Sequence, residues 1–290
     1  MRRTEVNESG VVGVVCEPDQ PTGSFAVVLS GSGGGIPDGY ASRLAEHGIT
    51  SFALGYFGAP GLPPALVEIP LESLARGIDL FRERFAAGAA VGVMGSSKGA
   101  ELVLLLSSYL GESIGPIVAV APTCVAWYGL GHVGDDDSAD RPSWTWQGRP
   151  VPFLPYSDGA VPIFSDRGIR VDVCYDLSRY AASDIDAARI PVEKGRGPFL
   201  LLSADDDHMW AASPMAAEVV NRMREHGRPD DIVHVSYAGA GHVFLHRAFL
   251  PAPDPSTAPR YDFGGTDEAD DTAAADAWPR IVEFLRAGAS

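Results

Sequence analysis

Ala90-Val91-Gly92-Val93-Met94-Gly95-Ser96-Ser97-Lys98-Gly99-Ala100-Glu101 is the stretch that decides the fold. A short apolar run meets a turn of small residues, and a leucine-rich segment follows. Within it, Gly95-Ser96-Ser97-Lys98-Gly99 fits Gly-x-Ser-x-Gly, a strained strand-to-helix turn that lifts one serine hydroxyl clear of a sheet, with glycines where a Cβ would clash. Residues 89–94 have the composition of a buried parallel strand, and residues 100–110 are apolar on nearly every face, as a helix covered on all sides would be. Small residues used merely for close packing would also match five positions. The order of strand, turn and helix favours the first explanation and makes Ser97 the candidate nucleophile.

Working back toward the N-terminus, residues 25–30 form a strand that runs into Gly31-Ser32-Gly33-Gly34-Gly35. This loop has neither the Gly-Lys-Ser/Thr ending of a phosphate loop nor the usual spacing of a dinucleotide site. It suits an oxyanion loop: one N–H from the residue after the nucleophile, Lys98, and a second from Ser32 or Gly33. An earlier strand is expected over residues 11–16, a helix over 38–47, a strand over 50–54, a rim loop at Tyr56 to Pro64, and an amphipathic helix over 72–86.

Downstream, residues 116–121 read as another buried strand, and regular periodicity then fades from Thr123 to Gly197. Such an excursion is expected to form a lid or pocket wall, with Asp135-Asp136-Asp137 a solvated tip and His132 within it. Candidate pocket residues are Tyr56 and Phe57 on the rim loop, Trp144 and Trp146 in the excursion, and Trp210; for most aromatics of the excursion, packing onto the body is the alternative and the more ordinary fate. A strand over 199–203 ends in Ala204-Asp205-Asp206-Asp207-His208-Met209-Trp210, where such folds place a catalytic acid. After a helix over 214–226 and a strand over 232–237 comes Gly239-Ala240-Gly241-His242, which makes His242 the candidate base and completes the order Ser, Asp, His. Residues 266–276, acidic and alanine-rich, are expected on the surface before a closing helix over 278–287. The expected class is α/β, with a mostly parallel central sheet and helices on both faces.

Composition narrows the partners. The 290 residues carry 22 Lys and Arg against 38 Asp and Glu, a formal net charge of -16, which argues against nucleic acid and anionic membrane surfaces. No run of about 18 apolar residues is present, and the expectation is a cytoplasmic protein of one domain, residues 1–290. Cys16, Cys124 and Cys174 lie in no disulfide or zinc spacing, so they are expected as core residues; neither a metal nor another cofactor is called for. The Asp and His residues around Asp207 have no second ligand cluster at metal spacing.

Several blocks together resemble one family. They are Ser30 to Gly35, Leu54-Gly55-Tyr56-Phe57-Gly58, Gly61-Leu62-Pro63, Ile69-Pro70-Leu71-Glu72, Ser97-Lys98-Gly99-Ala100-Glu101, Ile190-Pro191-Val192-Glu193-Lys194, Asp206-Asp207-His208-Met209-Trp210 and Gly239-Ala240-Gly241-His242. The chain resembles the C-terminal catalytic domain shared by acyl-CoA thioesterases and bile acid-CoA:amino acid N-acyltransferases, from about Phe25 onward. The resemblance implies an α/β-hydrolase fold and a triad of Ser97, Asp207 and His242. It selects Asp207 as the aspartate three residues before the tryptophan, with Asp206 as fallback. Larger members carry an N-terminal β-sandwich domain, and the expectation here is a chain without one. Serine stands where the N-acyltransferases resemble cysteine enzymes, which favours release of the acyl group to water.

The implied reaction is hydrolysis of an acyl thioester or ester through an acyl-enzyme, with a small-molecule substrate. A transacylase delivering the acyl group to an amine or alcohol would use the same groups. A non-catalytic binder of a small ligand would have no use for a complete Ser, Asp, His set. Arginines of the excursion such as Arg141, Arg149, Arg167 and Arg170 are available to a phosphate-bearing leaving group, and at this density they are equally ordinary surface.

Overall fold

Apolar runs bounded by glycine and proline collapse into one large sheet in the computed structural model, which describes residues 1–111, 114–131, 140–157, 159–248 and 261–288. In chain order, the first half comprises β1 (Arg2–Glu8), β2 (Val11–Glu17), β3 (Phe25–Leu29), α1 (Asp38–Glu46), β4 (Thr50–Gly55), β5 (Ile69–Pro70), α2 (Leu71–Phe85), β6 (Gly92–Ser96), α3 (Lys98–Leu110) and β7 (Ile117–Val120). The excursion follows with β8 (Trp144–Trp146), β9 (Arg149–Pro150), β10 (Ile163–Ser165), β11 (Gly168–Arg170), α4 (Asp172–Ala181) and α5 (Ile185–Ala188). The chain returns to the sheet with β12 (Phe199–Ala204), α6 (Ala212–Glu225), β13 (Ile232–Tyr237) and α7 (Asp267–Ala287).

The eight-stranded sheet runs β1-β2-β4-β3-β6-β7-β12-β13. Its first two pairings are antiparallel and the other five parallel. Parallel strands are covered on both faces, and the core splits accordingly. Leu71, Leu102, Leu106 and Met215 of α2, α3 and α6 pack on one face. Leu44 of α1 and Ile281 and Leu285 of α7 pack on the other. The fold is that of an α/β-hydrolase. Chain direction alone then gathers the C-terminal ends of β3, β6, β12 and β13 on one rim, where the candidate residues sit.

Three elements depart from the sequence-based expectations. β1 was not anticipated, because six of its seven residues are not buried and only Val6 enters the core; an edge strand of polar side chains carries little hydrophobic signal. The closing helix is twice the expected length, since the acidic segment forms its first half behind a Thr266 side chain that accepts the Ala269 N–H. The excursion is not structureless: it holds α4 and two short hairpins, and β8 joins β5 in a small separate sheet. His132 and the Asp135 to Asp137 run lie outside the described residues.

Candidate active site

Ser97 follows β6 and caps α3 with φ 57° and ψ −122°, a backbone conformation that a residue with a Cβ seldom adopts. Its neighbours explain the flanking glycines. A Cβ on Gly95 would lie 2.2 Å from the carbonyl oxygen of Gly99, and one on Gly99 would lie 2.4 Å from that of Ser30. Only glycine fits either position, so strand β6, helix α3 and the end of β3 can close around the serine. The Ser97 hydroxyl is 2.9 Å from His242 Nε2, and His242 Nδ1 is 2.7 Å from Asp207 Oδ2. The carboxylate assigns the proton on Nδ1 and leaves Nε2 as acceptor for the hydroxyl.

Asp205, Asp206 and Asp207 have three different partners. Asp205 accepts the Gly239 N–H at 2.6 Å. Asp206 turns to His208 Nε2, 3.1 Å, and to the Gly265 N–H, 2.8 Å. Asp207 alone reaches His242, while its other oxygen accepts the N–H groups of Met209 and Trp210 at 2.8 and 3.1 Å. Those amides hold the carboxylate in one orientation behind the imidazole. Its neighbours, meanwhile, brace the loops on either side.

His242 is held by groups that sequence patterns did not reveal. The Gly241 N–H donates to the buried Asp270 carboxylate of α7 at 2.7 Å, and the His242 N–H donates to the Phe263 carbonyl at 2.8 Å. Trp210 sets its ring edge-on to the imidazole, centroids 5.7 Å apart. An acid on the buried face of α7 was the available signal for Asp270. Phe263 acts through its backbone and leaves none.

Lys98 is the first residue of α3, so its N–H has no acceptor within the helix. In the glycine loop, the Gly34 N–H is taken by Gly31 and the Gly35 N–H by Phe57, at 3.1 and 2.9 Å. Those of Ser32 and Gly33 have no acceptor among the described residues. Both residues line a cavity of about 440 Å³ with Ser97 and His242; Ile36, Met209, Val243 and Phe263 supply apolar wall. Volume and lining suit a small organic group.

Beneath the turn, the Lys98 ammonium points inward to Glu101, 2.8 Å away, and both side chains are buried. Glu101 also accepts from Trp144 Nε1 at 2.6 Å and from the Trp127 N–H at 3.2 Å. Burial pushes the Glu101 carboxyl up and the Lys98 ammonium down, and their mutual attraction opposes both shifts. The pair ties the first turn of α3 to the excursion.

The five aromatic residues expected at the pocket are not among those lining this cavity. Tyr56 donates its hydroxyl to the Ser30 carbonyl, 2.7 Å, and packs on Trp144; Phe57 lies under Gly34. Trp146 packs on Tyr109, and Trp210 donates to the Ala121 carbonyl behind His242. The Tyr56 hydroxyl and the Trp144 and Trp210 N–H groups find acceptors inside the body, and the rings pack against it, so they support the rim instead of lining this cavity. Of the excursion arginines, Arg141 pairs with Glu68, Arg167 with Asp262 and Arg170 with Asp172, which leaves these cations partly neutralised.

The profile of the family described as BAAT / acyl-CoA thioester hydrolase C terminal matches residues 71–288. The chain belongs to that family. Among its relatives are acyl-coenzyme A thioesterase 6 of Mus musculus, 29% identical over 99% of this chain and 65% of that protein, and acyl-coenzyme A thioesterase 1 of Homo sapiens, 28% identical over 98% and 65%. The chain thus spans just under two thirds of these relatives. Solved structures with the same fold include a putative dienelactone hydrolase from Klebsiella pneumoniae, TM-score 0.56 at 14% identity, covering 98% of this chain and 97% of that one. An esterase of Pyrococcus furiosus aligns with TM-score 0.57 at 12% identity, covering 100% and 93%. Likeness at these identities concerns the fold alone. Among the described residues of this BAAT / acyl-CoA thioester hydrolase family member, no helix is long and apolar enough to cross a membrane.

Proposed function

We propose that this chain hydrolyses an acyl thioester, with acyl-CoA the leading candidate, by a serine mechanism in which Ser97 is nucleophile, His242 base and Asp207 its partner. The observation that carries the proposal is the continuous pair of hydrogen bonds, 2.9 Å from Ser97 to His242 and 2.7 Å from His242 to Asp207, on a strained turn at the sheet rim. The names of the relatives supply the thioester; an ester would pass through the same steps.

His242 Nε2 takes the Ser97 proton as Oγ bonds to the carbonyl carbon. The carbonyl electrons move to oxygen, where the N–H of Lys98 and that of Ser32 or Gly33 stabilise the charge, each by about 3 kcal/mol. Collapse breaks the carbon–sulfur bond, and the leaving thiolate takes the proton from His242. Water, deprotonated by His242, then attacks the acyl-enzyme; Ser97 leaves with that proton and the free acid is released. The Lys98 side chain has no part in these steps. The proposed unit is the whole chain as one domain, with residues 123–197 as a cap-like excursion.

The test is a panel of acyl-CoA thioesters and matched esters with wild type and Ser97→Ala, together with labelling by a serine-directed phosphonate and added amine acceptors. Turnover to free acid and labelling, both lost in Ser97→Ala, support the proposal. Turnover retained by Ser97→Ala, or a wild type that is neither active nor labelled, would defeat it.

A further inference from the structure

One side of the nucleophile carries polar groups that the mechanism above leaves unused. Alternation along the strands puts Ser96 two residues past Met94 and Ser30 two residues past Val28, on the face where Met94, Val28, Tyr40 and Phe244 pack. Ser30, Ser96 and His246 all line the cavity that holds Ser97 and His242. His246 lies on a single 3-10 turn, Phe244–Ala248, that follows the base, and its ring stands edge-on to Tyr40 with centroids 5.4 Å apart.

None of the three is spent within the protein. The Ser30 hydroxyl has no hydrogen-bond partner and almost no accessible surface, so it meets a ligand by rotating about its Cα–Cβ bond toward the cavity, and neither the Ser96 hydroxyl nor the His246 ring bonds another described residue. Unsatisfied polar groups in a mostly apolar cavity are unfavourable unless a ligand or solvent completes them. Charge narrows the ligand. No lysine or arginine lines the cavity among the described residues, and Asp38, which does, already pairs with Arg3. Burial, reinforced by the neighbouring His242, holds the His246 imidazole below its usual pKa, which favours the neutral ring. A hydroxyl group, which both donates and accepts, is the complement of two hydroxyls and a neutral imidazole; a carboxylate finds no cation there.

We infer that Ser30, Ser96 and His246 form a subsite that selects a short acyl group bearing a neutral hydroxyl, so that hydroxyacyl thioesters are preferred over plain acyl thioesters of equal carbon number. The inference rests on Ser97 being the nucleophile of this cavity. The experiment compares kcat/KM for N-acetylcysteamine thioesters of 3-hydroxybutanoate, butanoate and succinate, using wild type, His246→Phe and Ser30→Ala. The expected wild-type ratio of hydroxybutanoyl to butanoyl is about tenfold or more, with succinyl below both. That ratio falls toward one in both variants, and as a ratio it is insensitive to any general loss of folded enzyme. A wild-type ratio near one, a ratio unchanged in both variants, or a preference for succinyl overturns the subsite. If wild type turns over butanoyl without discrimination, only the subsite fails; if it turns over nothing and Ser97 resists the phosphonate, the hydrolase proposal fails with it.

Discussion

Ser97 presents its hydroxyl to His242 Nε2 at 2.9 Å from a backbone held at φ 57° and ψ −122°. The hydrogen bond and the strain belong together: a relaxed serine at the end of β6 would not clear the sheet. Ser97→Ala is expected to lower kcat by roughly a million-fold, as for other serine triads whose nucleophile is removed. Ser97→Gly should be equally inactive yet more stable than wild type by about 1 kcal/mol, because glycine adopts this backbone without strain. Urea unfolding of both variants beside wild type checks this; a glycine variant less stable than the alanine one would contradict it.

Asp207 and Asp206 are adjacent in sequence and opposite in consequence. Asp207→Asn removes the carboxylate that holds Nδ1 protonated, and an amide in its place favours the wrong tautomer. A fall in kcat of about 10⁴-fold is expected, with KM little changed. Asp206→Asn leaves His242 untouched and loosens His208 and Gly265, so its effect on kcat should be far smaller. Steady-state kinetics on the two variants decides the assignment. Equal losses would mean that the acids are exchangeable.

Much of this site was legible because it depends on chain order and on glycine. Gly95 and Gly99 stand where a Cβ would meet backbone at 2.2 and 2.4 Å, and close approach of that kind writes itself into sequence as a motif. His242 follows the last parallel strand for a topological reason, which order alone can show. Which aromatic residues meet a cavity was not legible, because composition carries no direction: Trp144 is as apolar facing Glu101 from inside the body as it would be facing a cavity. β1 and the first half of α7 were hidden for a related reason. Their side chains are mostly polar, and what orders them is hydrogen bonding, β1 to the adjacent strand β2 and the start of α7 to the Thr266 cap, which leaves no apolar period to read.

Lys98 and Glu101 form a buried pair whose desolvation is offset only while both partners remain. Replacing one, as Lys98→Met or Glu101→Leu, should destabilise the protein by about 3–5 kcal/mol, since a charge or its donors are stranded. The double variant Lys98→Met/Glu101→Leu should lose less than the sum of the two single changes. It should still fall short of wild type, because Trp144 Nε1 and the Trp127 N–H lose their acceptor, at about 1–3 kcal/mol each. Denaturant unfolding of the four proteins yields the coupling. Strict additivity would show that the two charges act independently.

Glu193 supplies a pH signature away from the rim. It sits in a 3-10 turn, Val192–Lys194, and receives Arg222 of α6 through two hydrogen bonds, 2.5 and 2.9 Å. The Arg222 hydrogen bonds hold its carboxyl below the ordinary glutamate range, against a smaller upward effect of burial. A carboxyl whose pKa is lower in the folded than in the unfolded chain binds fewer protons when folded, so its stabilisation is complete above the unfolded value of about 4.3 and disappears as pH falls through the folded one. With Arg222 about a third exposed, the pair is worth about 1 kcal/mol or less after screening. Glu193→Gln should therefore lower stability by that amount at pH 7. As pH falls below the unfolded value of about 4.3 and on through the lower folded one, the gap between variant and wild type should narrow and close, because wild-type Glu193 takes up a proton and loses its charge. Urea midpoints measured from pH 7 down to the acid transition follow the gap; one that stays constant throughout would mean that Arg222 and Glu193 contribute through packing alone.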